Sequence, residues 1–167
     1  MGTDSAVARE AAWLQQANDS LPALLQPAGG PFQVVAAYEQ GAQTRTQATA
    51  IYVTRGEVEQ IRAGNQRIRD RYPMRLELHW PVRVTSPGAS SIAATEAQNF
   101  DNAIELVRQR VTGPLGDKSH GGRFLSAAEA GTPRIKVTTE PASQTIPANK
   151  ELRATMAYFI DDYEINA

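Results

Sequence analysis

The sequence predicts an α+β fold: two layers, with an antiparallel or mixed β-sheet packed against about two helices. Two segments carry apolar residues at helical spacing, and several others alternate apolar with polar residues. Breaks rich in Gly and Pro separate them, giving the order α-β-β-β-α-β-β-β. With 167 residues the chain is read as one domain, 1–167, able to bury roughly 69% of its unfolded surface.

The first helix is expected from about Ser5 to Asp19. Val7, Ala11, Leu14, Ala17 and Leu21 recur at spacings of three and four, and Asp4 or Ser5 supplies an N-cap oxygen. Pro22 interrupts the pattern, and the run from Pro27 to Pro31 ends it. Strands follow at Phe32–Tyr38 and Ala48–Val53, joined by a polar loop near 40–46, with a turn at Arg55-Gly56-Glu57. The clearest strand has Met74, Leu76, Leu78, Trp80 and Val82 on a core face and Arg75, Glu77, His79, Pro81 and Arg83 outside. Pro81 cannot donate to a ladder, so a free side or a bulge is expected there. The segment from Val58 to Tyr72 fits a helix or an irregular strand arm, with Gly64-Asn65 as a turn inside it.

After the Ser86-Pro87-Gly88 break, Phe100, Ala103, Ile104, Val107 and Val111 share one helical face. The helix is expected from Ser91 or Thr95 through Arg110, with Thr95 to Gln98 as a capping box and Gly113-Pro114 as its stop. Strands are then expected at Arg123–Ala128, Arg134–Thr139 and Leu152–Ile165, with a polar loop at 140–150. Trp13 and Trp80 read as core or interface aromatics, and His79 as a surface residue.

Seventeen basic and eighteen acidic side chains leave a net charge of -1, which speaks against a dedicated nucleic-acid binder. No cysteine means no disulfide, thiolate zinc site or cysteine nucleophile, and two histidines are too few for a multi-His metal site. The first residues lack the basic and apolar regions of a secretory signal, and no stretch is apolar enough to cross a bilayer.

The loop from Gly113 to Gly122 contains Gly, Lys118 and Ser119 but lacks phosphate-loop spacing, and it follows a helix rather than opening one. Ser119 and His120 invite a nucleophile–base reading, but adjacent residues with Asp117 beside them do not make an oriented triad. Asp162 and Glu164 would share a strand face and could hold a hard cation; a charged strand end that resists edge pairing is the plainer reading. No catalytic, cofactor-binding or metal-ligating residue is therefore nominated. The nominated residues are a candidate subunit or partner interface: Arg62, Arg67, Arg69, Arg71 and Arg75, with Asp161, Asp162 and Glu164. The arginines are opposed in their own segment only by Asp70, and an acidic strand of a neighbouring copy suits them better than DNA.

In element order, and in the segments 48–56 (ATAIYVTRG), 71–79 (RYPMRLELH), the Phe100–Val111 helix, 120–124 (HGGRF) and 153–159 (RATMAYF), the chain resembles the tail terminator (tail completion) proteins of long-tailed bacteriophages. The resemblance implies a non-enzymatic virion protein of the tail and neck, assembled in the host cytoplasm and needing no cofactor. It would form a ring, usually of six copies, that caps the tail tube and joins it to the head. The implied partners are other copies, the tail tube protein and a head-closure or connector protein, with DNA passing through the lumen without sequence-specific contacts and no membrane. A head-closure or stopper protein is the neighbouring alternative. A small-ligand-binding or catalytic α+β domain is the distant one, and it would require a deep pocket with convergent polar groups.

Overall fold

The computed structural model describes residues 5–17, 22–38, 48–62, 67–81, 89–112, 118–129, 133–139 and 151–165. The loops expected near 40–46 and 140–150, the turn at Gly64-Asn65 and the stop at Gly113-Pro114 lie outside them. The fold is α+β: helices α1 (Ala6–Gln15) and α2 (Ala89–Thr112) accompany a seven-stranded mixed sheet. Its strands are β1 (Val34–Ala37), β2 (Ala50–Arg55), β3 (Glu59–Arg62), β4 (Arg67–Pro81), β5 (Ser126–Ala127), β6 (Ile135–Thr139) and β7 (Glu151–Ile165). The path runs β1-β2-β4-β7-β5, with β3 also on β4 and β6 also on β7. Among the described strands only β1 and β2 pair in parallel.

In the ambiguous segment before Met74 the described residues 59–62 and 67–72 are strand: β3 pairs with β4, which adds one strand to the expected order. β4 and β7 are each 15 residues long and run in unbroken antiparallel register from Arg67↔Ile165 to Pro81↔Glu151. Their alternation is the one anticipated. Met74, Leu76, Leu78 and Trp80 from β4 face the helices beside Leu152, Ala154, Met156, Tyr158 and Ile160 from β7, all buried. Ile51 and Val53 extend that floor onto β2, and Phe100, Ala103, Ile104, Val107 and Val111 of α2 join Val7, Ala11 and Leu14 of α1 in covering it.

Both prolines of β4 sit where their missing donors do no harm. The β2 ladder ends at Ala50↔His79, so Pro81 lies past it. The Pro73 carbonyl accepts from Gly56 N at 2.8 Å. In an antiparallel strand a residue's N–H and C=O point to the same side, so the N–H that Pro73 lacks would face the 56–58 gap between β2 and β3. A Cβ at Gly56 would lie 3.1 Å from Pro73 Cγ, so the glycine lets the two strands approach.

Several expected boundaries move for identifiable reasons. α2 begins at Ala89, so Thr95 and Gln98 lie inside the helix and do not form its capping box. Arg123 and Phe124 are not strand. Their N–H groups close onto the Ser119 carbonyl at 3.1 and 3.0 Å, and β5 shrinks to two residues. α1 starts on Ser5, whose hydroxyl accepts from Ala8 N at 3.2 Å, but it stops at Gln15 and not near Asp19.

Arg110 accounts for that stop. It lies on the core side of α2, wholly buried, with its guanidinium 4.5 Å from the centre of the Trp13 ring. Nη2 donates to the carbonyls of Trp13 and Gln16, both at 2.6 Å, and Nη1 donates to that of Pro22 at 3.0 Å. A buried cation thus satisfies the open carbonyls where α1 ends and meets the negative end of its dipole. Arg110→Met should therefore lower unfolding free energy by about 2–4 kcal/mol, since it strips donors from three carbonyls while keeping much of the volume. Urea denaturation measures this, and a midpoint matching wild type would refute the clamp.

Candidate functional site

Three groups of polar side chains stand out, and burial separates them. The first is sealed inside. Glu10 occupies the apolar stripe of α1, between Val7 and Leu14, and is fully buried. Its Oε1 accepts from the Tyr158 hydroxyl at 2.7 Å, and its Oε2 lies 2.9 Å from His120 Nδ1. The other imidazole nitrogen, Nε2, lies 2.9 Å from the Val111 carbonyl. A carbonyl only accepts, so Nε2 carries a proton, and Nδ1 and Glu10 Oε2 are joined by another. The His120 ring stacks on Trp13 at 3.7 Å between centroids, with 5° between the planes. Burial, reinforced by the Glu10 charge and hydrogen bond, raises the Tyr158 pKa well above its ordinary value, so the phenol remains a donor.

Reaching that position takes an unusual backbone. His120, Gly121 and Gly122 follow one another at φ 49°, 71° and 80°, and only glycine adopts such angles freely. A Cβ at Gly121 would approach Arg123 Nη1 to 2.8 Å and Trp13 to 3.5 Å. Both ring nitrogens of His120 are engaged, and Ser119 Oγ accepts from Gly122 N at 2.9 Å, so the two residues do not form a nucleophile–base pair.

The second group lies on the face of the sheet opposite the helices. His79 projects there as its phase requires, but it is 5% exposed, which corrects its reading as a surface residue. The Tyr52 ring meets it edge-on at 5.2 Å, Glu151 pairs with Nδ1, and Glu77 stands 3.7 Å from Nε2. Burial works to raise the Glu151 pKa, but His79 and Arg153 outweigh it and hold the carboxyl below its ordinary range. A cleft of about 260 Å³ opens beside this cluster, with Thr138 and Thr155 on its wall.

The third group contains the nominated interface residues. All except Arg75 fall on one element, the three-stranded arm made by β3, the first half of β4 and the end of β7. β3 is exposed along its whole length. Strand pairing brings carboxylates to the arginines that sequence proximity did not. Arg71 donates from Nε and Nη2 to the two oxygens of Asp161 at 2.9 and 3.2 Å, and Arg69 Nε lies 3.6 Å from the same carboxylate. That hydrogen bonding raises the Arg71 pKa. On the opposite face Asp162 pairs with Arg9 of α1 at 2.9 Å, and its register partner Asp70 is nearly buried beside Tyr72.

Arg71 and Asp161 thus meet within one chain, as do Arg69 and Asp161. Arg62 and Arg75 are exposed and form no ion pair with the described residues. Arg67 and Glu164 take their places in the β4–β7 ladder, opposite Ile165 and Ile68.

Among the described residues no three His, Asp or Glu side chains are grouped to hold a metal ion. Within the same residues no helix is long and apolar enough to cross a membrane. No family model matches the chain, and no curated protein matches it.

The raised Tyr158 pKa has a consequence at alkaline pH. The unfolded chain releases the phenolic proton near the ordinary value of 10.0, while the folded chain holds it to higher pH. The stabilisation is complete below that value and is lost as pH rises toward the folded pKa. Unfolding free energies measured between pH 9 and 11 should decline in wild type, and Tyr158→Phe should flatten part of that decline; parallel profiles would count against the buried donor.

Proposed function

We propose that this chain is a structural virion subunit, a tail terminator whose copies close into a ring that caps the tail tube and joins it to the head. The observation that carries this reading is the separation of its polar groups. The sequence-nominated charges other than Arg75 gather on a three-stranded arm whose edge strand is exposed and within which Arg71 covers Asp161, whereas the histidine–carboxylate pair at Glu10 and His120 is enclosed and fully engaged. An arm of matched Arg and Asp residues is suited to a protein partner, which meets both signs of charge at once. Such balance would also let the ring stand beside DNA without gripping it. The partners that follow are other copies of the chain, the tail tube protein and a head-closure protein.

The reading requires self-association. Native mass spectrometry of the purified chain should give a closed oligomer of about six times the 18.1 kDa monomer, and electron microscopy should show rings with a central hole. A monomer that persists at high protein concentration would overturn it.

A further inference from the structure

The cleft beside His79 has no part in the proposed ring, and its walls have a definite chemistry. Glu77, Thr155 and Thr138 are successive register partners across β4, β7 and β6, so they form one row on the sheet face away from the helices. Residues directly opposite on adjacent strands stand about 5 Å apart at Cβ, close enough for a carboxylate and two hydroxyls to surround one small group. His79 projects from the same face two residues further along β4, with Arg153 opposite it. All of them line the cleft of about 260 Å³.

The His79 ring is held in one orientation. Tyr52 of β2 meets it edge-on, Glu151 of β7 pairs with Nδ1, and Nε2 is turned toward Glu77 at 3.7 Å. His79 and Arg153 hold the Glu151 carboxyl ionised, and a carboxylate only accepts, so Nδ1 carries a proton. In the neutral ring Nε2 therefore presents a lone pair.

Charge and geometry together select the ligand. Two carboxylates, Glu77 and Glu151, stand against one arginine, Arg153, whose Nε donates to Glu151 at 3.2 Å. An anion would meet both carboxylates, and no three ligands for a metal ion are grouped among the described residues. A primary ammonium places three N–H donors on a compact charge, whereas a guanidinium spreads five in a plane. Acceptors drawn from a carboxylate, an imidazole and a hydroxyl on two neighbouring strands suit the first.

We infer that this cleft binds a primary ammonium group, with Glu77, His79 Nε2 and the Thr155 hydroxyl accepting its three protons and Thr138 at the rim. A free alkyl amine and a lysine side chain of a protein partner present the same group. The site stands apart from the ring and does not depend on it.

The chain has two histidines, so proton NMR offers a reporter at the cleft and, in buried His120, an internal reference. At about pH 8.5, above the range in which an imidazole ordinarily titrates, n-propylammonium should shift the His79 C2–H resonance saturably and leave that of His120 in place. Tetramethylammonium, equal in charge but without N–H donors, should move neither. Glu77→Gln should weaken the response about tenfold or more, and an unmoved His120 resonance shows that the variant is folded. Lowering the pH should weaken it as well, because a proton on Nε2 takes the same lone pair. Tighter binding of diaminobutane than of Nα-acetyl-lysine methylamide upholds the site with a free amine as its ligand; the reverse order upholds it with a partner's lysine. A His79 resonance indifferent to n-propylammonium, moved equally by tetramethylammonium, or responding unchanged in Glu77→Gln would overturn the site and leave the ring untouched.

Discussion

The pairing of β4 with β7 is the constraint on which the other features depend. A continuous antiparallel ladder admits no one-residue slip without turning every side chain to the opposite face. The same register that sends Leu76 and Met156 to the core therefore also sets Arg71 opposite Asp161 and His79 opposite Arg153. Core, arm and the cluster around His79 are three stretches of one ladder. A substitution that disturbed its phase would disturb all three.

The second organising element is the polar joint beneath α1. Glu10, Arg110, His120 and Tyr158 come from four separate segments, and their hydrogen bonds tie those segments to one another and to Pro22; Arg110 Nε alone among their polar atoms has no partner among the described residues. An apolar core tolerates many packings of similar volume, whereas a buried network is favourable only when every member finds its partner. Here it pins the end of α1 to α2 and places the Ser119–Phe124 turn under Trp13.

The sheet and the helical faces were legible because they are periodic. Alternation along β4 and β7 and the stripe from Phe100 to Val111 exceed any local accident of composition. The joint was not legible as a contact, since Glu10 and His120 are brought together only by the complete fold. A trace of it was nevertheless present: Glu10 falls between Val7 and Leu14, and Arg110 beside Val107 and Val111, each a charge inside an apolar stripe. Such an intrusion signals a buried partner without identifying it. Of the residues nominated from their charge, all but Arg75 lie on the arm. Their mutual neutralisation was hidden, because Asp161 reaches Arg71 through strand pairing alone. His79 was misread for a related reason: strand phase tells which face a residue takes, but not whether that face is covered.

The position of β7 in the sheet also governs the order in which the fold can form. It is a central strand, flanked by β4 on one side and by β5 and β6 on the other, yet it follows all of them in the chain. Every pair in the β4–β7 ladder bridges residues far apart in sequence, so closing it carries a large loop entropy before any contact repays it. During synthesis α1, α2 and β1 to β6 emerge while the surface they are to cover is still incomplete. The sheet therefore cannot settle until β7 has left the ribosome, and the arm, built partly from β7, takes its mature form only once that strand has paired. Any association that uses the complete arm must consequently wait until β7 has been made and paired.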